Sequence, residues 1–327
     1  MKIKNFKAIS FSAPAKIHLI GEHAVVYGKP AIISATNLRL TLTLTTPHHP
    51  VIPAKVIDTE SNRSAGIHAI QTAIEKEIKK SYKLKTIPHY KIEIKSDFPL
   101  GSGLGASAAI SASLTAALLK LLRIKASKQE IYDIAIAGEK AIHGNPSGSD
   151  LSAVIFGGTI WFRKELPALP LTSPLPLTLP TLSLINSGKP AESTGEMVAK
   201  VAKLNVALKK QVFDELELLA KALVTDSTEI KEIFKETHRC LVNLGVVGKN
   251  AQKLISQIEK SGGAAKITGA GGYKDGSGMI IVFHTKPEKL KKIKLTPIKL
   301  AQEGLRLEPI NNRQSPAVLA DAAGLRR

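Results

Sequence analysis

At 327 residues, 43% of them hydrophobic, the chain is long enough for two packed domains or one large one, and its core needs no covalent staples. Its single cysteine, Cys240, excludes an internal disulfide and suits a reducing, cytoplasmic setting. Lys and Arg outnumber Asp and Glu by 46 to 27, a formal charge of +19, yet the lysines lie along solvated helix faces such as EKEIKKSYKLK (75–85) with almost no aromatic residues among them, so no nucleic-acid partner is expected.

Residues 1–16, MKIKNFKAISFSAPAK, alternate polar and apolar and read as a first strand rather than a signal peptide. In AIISATNLRLTLTLTT (31–46), Leu38, Leu40, Leu42 and Leu44 share one face, which predicts a half-buried antiparallel strand. A helix is expected over 65–81, a strand over KIEIKS (91–96), and helices over 106–122 and 128–142. AVIFGGTIWF (153–162) reads as a strand. The tract LPALPLTSPLPLTLP (166–180) holds five prolines, which forbid a central helix or strand and predict a stiff, extended connection. The prolines also break its apolar run far short of the roughly 20 residues of a membrane span, so no membrane association is expected. A domain boundary is placed near its end, giving domains of 1–182 and 183–309. Amphipathic helices follow between about 193 and 260, and strands near 264–268 and 278–283 bracket a second glycine-rich loop. Helices and strands mix without regular βαβ alternation, so the fold class is α+β.

Three segments carry chemistry. In PLGSGLGASAA (99–109) a strand runs through Gly101, Ser102, Gly103, Leu104, Gly105 and Ala106 into a helix opened by Ser107. Such a loop lets backbone N–H groups and the helix dipole face an anion, as a phosphate cradle does. A plain tight turn is the alternative, and Gly101, Gly103 and Ala106 also fit the dinucleotide pattern G-x-G-x-x-A, for which Glu130 is the nearest ribose partner. No Walker A sequence occurs. GEKAIHGNPSGSD (138–150) supplies Glu139, at the edge of the stripe Ile131, Ala135, Gly138 and Ile142, and a turn delivering Asp150. Two carboxylates, the Ser107 hydroxyl and phosphate oxygens are a donor set for Mg²⁺, although Asp150 in a turn and a solvated Glu139 would also be ordinary. SAPAKIHLIGEHAVVYGKPAI (12–32) brings Lys16, able to neutralise charge, and Glu22 beside His23, able to hydrogen-bond a small polar substrate.

These segments, in this order and followed by KITGAGGYKDGSG (266–278), resemble the galactokinase, homoserine kinase, mevalonate kinase and phosphomevalonate kinase (GHMP) superfamily from about residue 8 to about 309. GEHAVVYGKPA (21–31) with HGNPSGSD (143–150) is most similar to its mevalonate kinases. The resemblance implies a ribosomal protein S5 domain 2-like first domain, a ferredoxin-like second domain, and ATP and mevalonate bound between them. It implies further that Ser107 and Glu139 hold Mg²⁺, that Asp150 accepts the hydroxyl proton, and that Lys16 lies near that aspartate and the reacting phosphate. Glu22, His23 and Thr194 would contact mevalonate, and Gly269, Gly271 and Gly272 would form the C-terminal glycine loop; a homodimer is a further implication. The chain departs from the pattern in three places. Tyr27 stands where some relatives have a histidine, Tyr273, Lys274 and Asp275 interrupt the second glycine run, and residues 310–327 form an extension read as flexible. The competing expectations are a sister kinase with another acceptor, a catalytically degenerate nucleotide-binding protein, an NAD-dependent oxidoreductase and a basic nucleic-acid binder.

Overall fold

The computed structural model describes residues 8–46, 64–164, 170–174, 179–291, 293–301 and 303–309. The expected extension at 310–327 lies outside them. Strand β1 (Ile9–Ile20) pairs along its length with the long β2 (Ala31–Thr45), and both are antiparallel. The far edge of β2 is shared: Leu40–Thr45 pair with β3 (Lys91–Ser96), whereas Ala31–Ser34 pair with β4 (Thr159–Lys164). β5 (Pro170–Pro174) adds to β4 at one edge of this sheet, and β10 (Arg306–Glu308) adds to β1 at the other. Residues 306–308, which follow the whole second sheet in the chain, thus hydrogen-bond back to the first. An edge position is where a sheet tolerates proline, which cannot donate to a ladder, so the proline tract contributes a strand without entering the sheet's centre.

Leu40, Leu42 and Leu44 are buried and alternate with half-exposed neighbours, as a pleated strand with one face on the core requires. Over them lies α2 (Ala106–Leu121), with α1 (Ser64–Ser81) and α3 (Lys128–His143) packed on it and on each other. α2 buries 13 of its 16 residues rather than one stripe. Its Ala and Ser positions let neighbours approach on every side, and Gly138 of α3 packs so closely that a Cβ there would stand 2.5 Å from Ser111 Oγ. α3 starts in a capping box, with Ser127 and Glu130 satisfying each other's backbone N–H groups.

The strand expected over 153–162 is corrected: its first part is helix α4 (Ser149–Phe156), and only Thr159 onward is strand β4. A short apolar run has no decisive period, and the break falls at Gly157 and Gly158, both with positive φ. Asp150 therefore stands in the first turn of a helix.

The second sheet, in order β7 (Ala264–Ile267), β8 (Met279–Phe283), β6 (Leu182–Asn186) and β9 (Thr296–Ile298), is antiparallel throughout. Numbered from β6, that is the 2-3-1-4 order of a ferredoxin-like sheet, with the last crossover reduced to a 3₁₀ turn at Pro287–Leu290. Helices α5 (Thr194–Ala202), α6 (Val206–Thr225), α7 (Ile230–Asn243) and α8 (Lys249–Lys260) fill the β6–β7 connection, with α7 and α8 packed on β7. No helix of the described residues is long and apolar enough to cross a membrane.

Candidate active site

A cavity of about 540 Å³ opens between the two sheets, with the glycine loop before α2 on one side and the loop after β7 on the other. The two loops touch. The Met279 N–H donates to the Ser102 carbonyl at 3.0 Å, and at Gly103 (φ 88°) a Cβ would lie 2.6 Å from the Thr268 carbonyl oxygen. Gly105 (φ 79°) is equally constrained, since a Cβ there would meet Lys16 Cγ at 2.7 Å. Glycine is needed at both for conformation and for space.

Lys16 sits between two irregularities in the β1–β2 register, which lie at Pro14/Lys16 and His18/Ile20, and its N–H donates to the Leu104 carbonyl at 3.0 Å. Bulges of this kind re-aim side chains beside functional sites. Strand alternation puts Lys16 and His18 on one face and Ile17 and Leu19 in the core. Both of the former reach Asp150: Lys16 Nζ is 3.0 Å from Oδ2 and His18 Nε2 is 2.9 Å from Oδ1. Burial opposes the Asp150 charge, but the Lys16 ammonium and the His18 hydrogen bond outweigh it and hold the carboxyl well below the usual carboxylate range. With 30% of its side chain exposed, Asp150 still faces the cavity it lines.

Glu139 bears on whether the site suits a cation. It is 3% exposed, its Oε1 has no hydrogen-bond partner among the described residues, and its carboxyl is pushed up to about 8, by burial first and by the Asp150 charge second. A carboxylate so placed takes its charge readily only beside a cation. Ser107, at the start of α2, lines the same cavity, and its Oγ is 3.1 Å from His143 Nε2, which in turn is 3.9 Å from Glu139 Oε2. One carboxylate and one hydroxyl fit Mg²⁺ whose remaining ligands are phosphate and solvent. Among the described residues no group of three or more His, Cys, Asp or Glu is disposed to hold a metal unaided.

Of the other residues singled out in the sequence, Gly101, Ala106, Thr194 and Gly269 line the cavity. Ser102 and Leu104 anchor the loop instead: the Ser102 hydroxyl donates to the Pro99 carbonyl at 2.6 Å, and Leu104 is 1% exposed. Gly271 and Gly272 serve packing, for a Cβ on Gly271 would lie 2.1 Å from the Val246 carbonyl oxygen, which already accepts the Gly272 N–H. Glu22 is on the cavity wall, but its Oε1 is ion-paired with the fully buried Lys266, while Oε2 finds no partner among the described residues. His23 Nε2 donates to the Ala270 carbonyl at 3.0 Å. Tyr27 turns away and lies against Phe213 with ring centroids 4.8 Å apart. Tyr273, the first residue of the interruption in the glycine run, is 42% exposed under Lys200, whose Nζ is 4.6 Å from its ring centroid.

The sequence reading missed His18, His143 and Lys266. A signal existed for two of them: His18 follows Lys16 at strand spacing, and Lys266 interrupts an apolar strand directly before a glycine loop.

One cavity is thus lined by a glycine loop running into a helix N-terminus, a buried carboxylate with an unpartnered oxygen and a Lys–Asp pair, and the family the chain matches is one of small-molecule kinases. Residues 68–158 match the family profile of the GHMP kinases N terminal domain. A curated mevalonate kinase of Archaeoglobus fulgidus is 32% identical over 80% of this chain and 88% of its own length. One from Pyrococcus abyssi is 30% identical over 91% and 97%. With relatives this similar across most of both chains, the protein belongs to the mevalonate kinase family. The crystal structure of Methanococcus jannaschii mevalonate kinase has the same fold, with a TM-score of 0.74 at 21% identity over 89% of this chain and 98% of that one.

Proposed function

We propose that the chain transfers the γ-phosphoryl group of ATP, with Mg²⁺, to the primary hydroxyl of mevalonate, giving 5-phosphomevalonate. The observation that carries this reading is Asp150, held ionised by Lys16 and His18 at the floor of a cavity walled by two glycine loops. The family relatives carry the choice of acceptor.

In this reading the loop from Gly101 to Ala106 and the N-terminus of α2 hold the phosphates, with Ser107 and Glu139 holding the cation. When bound, Mg²⁺ neutralises charge on the β- and γ-phosphates. Glu22, whose Oε2 has no partner among the described residues, together with His23 and Thr194, orients the acceptor so that its hydroxyl meets Asp150. The hydroxyl oxygen forms its bond to Pγ as the bond from Pγ to the β-bridging oxygen breaks, and ADP leaves. An aspartate stabilised this strongly as a carboxylate is a weak base, so the proton reaches it late, after the oxygen has begun to bond to phosphorus. Lys16 stabilises the charge on the transferring group throughout.

A coupled ADP-release assay over mevalonate, phosphomevalonate, homoserine and galactose tests the reading, with turnover expected on mevalonate. Asp150→Asn and Lys16→Met should each lower kcat by about 100-fold or more while leaving ATP binding nearly intact. Turnover confined to another alcohol, or loss of ATP binding in both variants, would overturn it.

A further inference from the structure

In the mechanism above His18 does no more than stabilise the Asp150 charge, yet it is bound on three sides. Its N–H donates to Thr268 Oγ1 at 2.8 Å, its carbonyl accepts from Lys266 Nζ at 3.0 Å, and its ring nitrogen Nε2 stands 2.9 Å from Asp150 Oδ1. The residue is 5% exposed, and its other ring nitrogen, Nδ1, is buried with no hydrogen-bond partner among the described residues.

We propose that His18 is a positioning residue for Asp150: a neutral imidazole whose Nε2–H occupies Oδ1, so that the carboxylate plane is set and Oδ2, beside Lys16, is the oxygen that meets the acceptor hydroxyl. This rests on the reading of Asp150 as the group that takes the acceptor proton. The geometry selects the tautomer. A buried N–H without an acceptor costs more than a lone pair without a donor in the same place, so the proton belongs on Nε2, where a carboxylate accepts it. Burial first and the neighbouring Lys16 charge second lower the affinity of the ring for a second proton and outweigh the Asp150 and Glu22 carboxylates, which favour one, so the neutral ring is the preferred form. The same tautomer excludes a relay through the ring, since Nε2 already carries its proton and Nδ1 has no hydrogen-bond partner among the described residues with which to exchange one.

Lys16 alone would leave Asp150 free to rotate about the bond to its carboxyl group. Two donors on different oxygens remove that freedom. Because Thr268 and Lys266 belong to the second sheet and its glycine loop, they also tie the carboxylate's orientation to the packing of the two lobes.

The direct test is ¹⁵N NMR of the histidine rings in the full-length protein at pH 7, with the His18 signals assigned by their loss in His18→Gln. Nε2-protonated neutral imidazole is expected; an Nδ1–H tautomer or an imidazolium would overturn the proposal. In steady-state assays His18→Leu should lower kcat by about 10- to 100-fold with the KM for ATP within about two-fold. His18→Gln, whose amide N–H reaches the place of Nε2, should recover most of that loss. Equal kcat in the parent and His18→Leu, or no difference between the Leu and Gln variants, would overturn it. Should His18→Leu fail to fold, the tautomer and the activity of His18→Gln still decide. Asp150→Asn separates the two readings. If it retains turnover, the assigned role of Asp150 falls and this proposal with it; if it is inactive while His18→Leu is not, only the positioning role falls.

Discussion

Glu139 is 3% exposed and close to the Asp150 charge, and its carboxyl is accordingly pushed up to about 8 from an ordinary 4.5. The folded, nucleotide-free protein therefore keeps a proton on Glu139 that the unfolded chain has already lost. Its contribution to stability falls as pH rises from about 4.5 toward 8 and is level above that. A bound cation reverses the preference, so Mg-ATP should expel up to about one proton from the protein on binding near neutral pH. Calorimetric titrations at pH 7.5 in buffers of different ionisation enthalpy measure this release. The wild type should release more protons than Glu139→Gln, which should also need more Mg²⁺ for half-maximal activity; identical release would count against Glu139 as the metal's carboxylate. The residues named from sequence here were legible because their types are chemical and their motifs local. His18 carried only the signal of its strand spacing from Lys16, because its meaning depends on a partner 132 positions away.

At the scale of the element, the two glycine loops are built by approach rather than by flexibility. Gly101 and Gly103 both have positive φ, 75° and 88°, but nothing lies within 4 Å of where a Cβ on Gly101 would stand, whereas a Cβ on Gly103 would collide with the Thr268 carbonyl. Gly101→Ala therefore meets only the left-handed backbone strain of about 1–2 kcal/mol. Gly103→Ala must also part the loops, and a displacement near 1 Å at reacting groups costs about 100-fold in rate. Kinetics of the two alanine variants, with circular dichroism to confirm folding, should show Gly103→Ala as much the worse in kcat/KM for ATP; similar losses would mean that the loops do not need to touch. Helices with strong periodicity, such as α1 and the capped α3, were readable to within a residue or so. The run at 149–162 was not, because eight residues of helix and the strand that follows share one apolar composition, and the glycine pair between them reads as part of either.

For the whole molecule, two lysines among the described residues join the elements of the first sheet to those around the second through ion pairs that should differ greatly in weight. Lys266, 0% exposed on β7, meets Glu22 from the loop after β1 and also donates to the carbonyls of His18 and Ile267. Lys29 meets Asp214 and Glu217 of α6 at 2.6 and 2.8 Å, but with the side chains of Lys29 and Asp214 27% and 39% exposed. Removing one partner of a buried pair leaves an uncompensated charge, so Lys266→Met should destabilise the protein by about 3–5 kcal/mol. The double variant with Glu22→Gln should recover part of that loss. Lys29→Met, screened by solvent, should move the urea midpoint little. Comparable midpoint shifts in the two single variants would refute the ranking.

By itself the sequence determined the α+β class and the bounds of several elements, and it singled out the glycine loop before α2 and the four residues Lys16, Ser107, Glu139 and Asp150 as candidates, because hydrophobic period, glycine clusters and chemically distinctive side chains act over a few residues. Tertiary structure decided the rest. It put Tyr27 on Phe213 and Tyr273 under Lys200, away from the cavity, and gave Glu22 a buried ammonium 244 positions distant. It also returned residues 306–308 to the first sheet and set His18 against Asp150. Each of these follows from which distant surfaces meet, and the energies involved, of desolvation and of buried charge pairing, do not exist until they do.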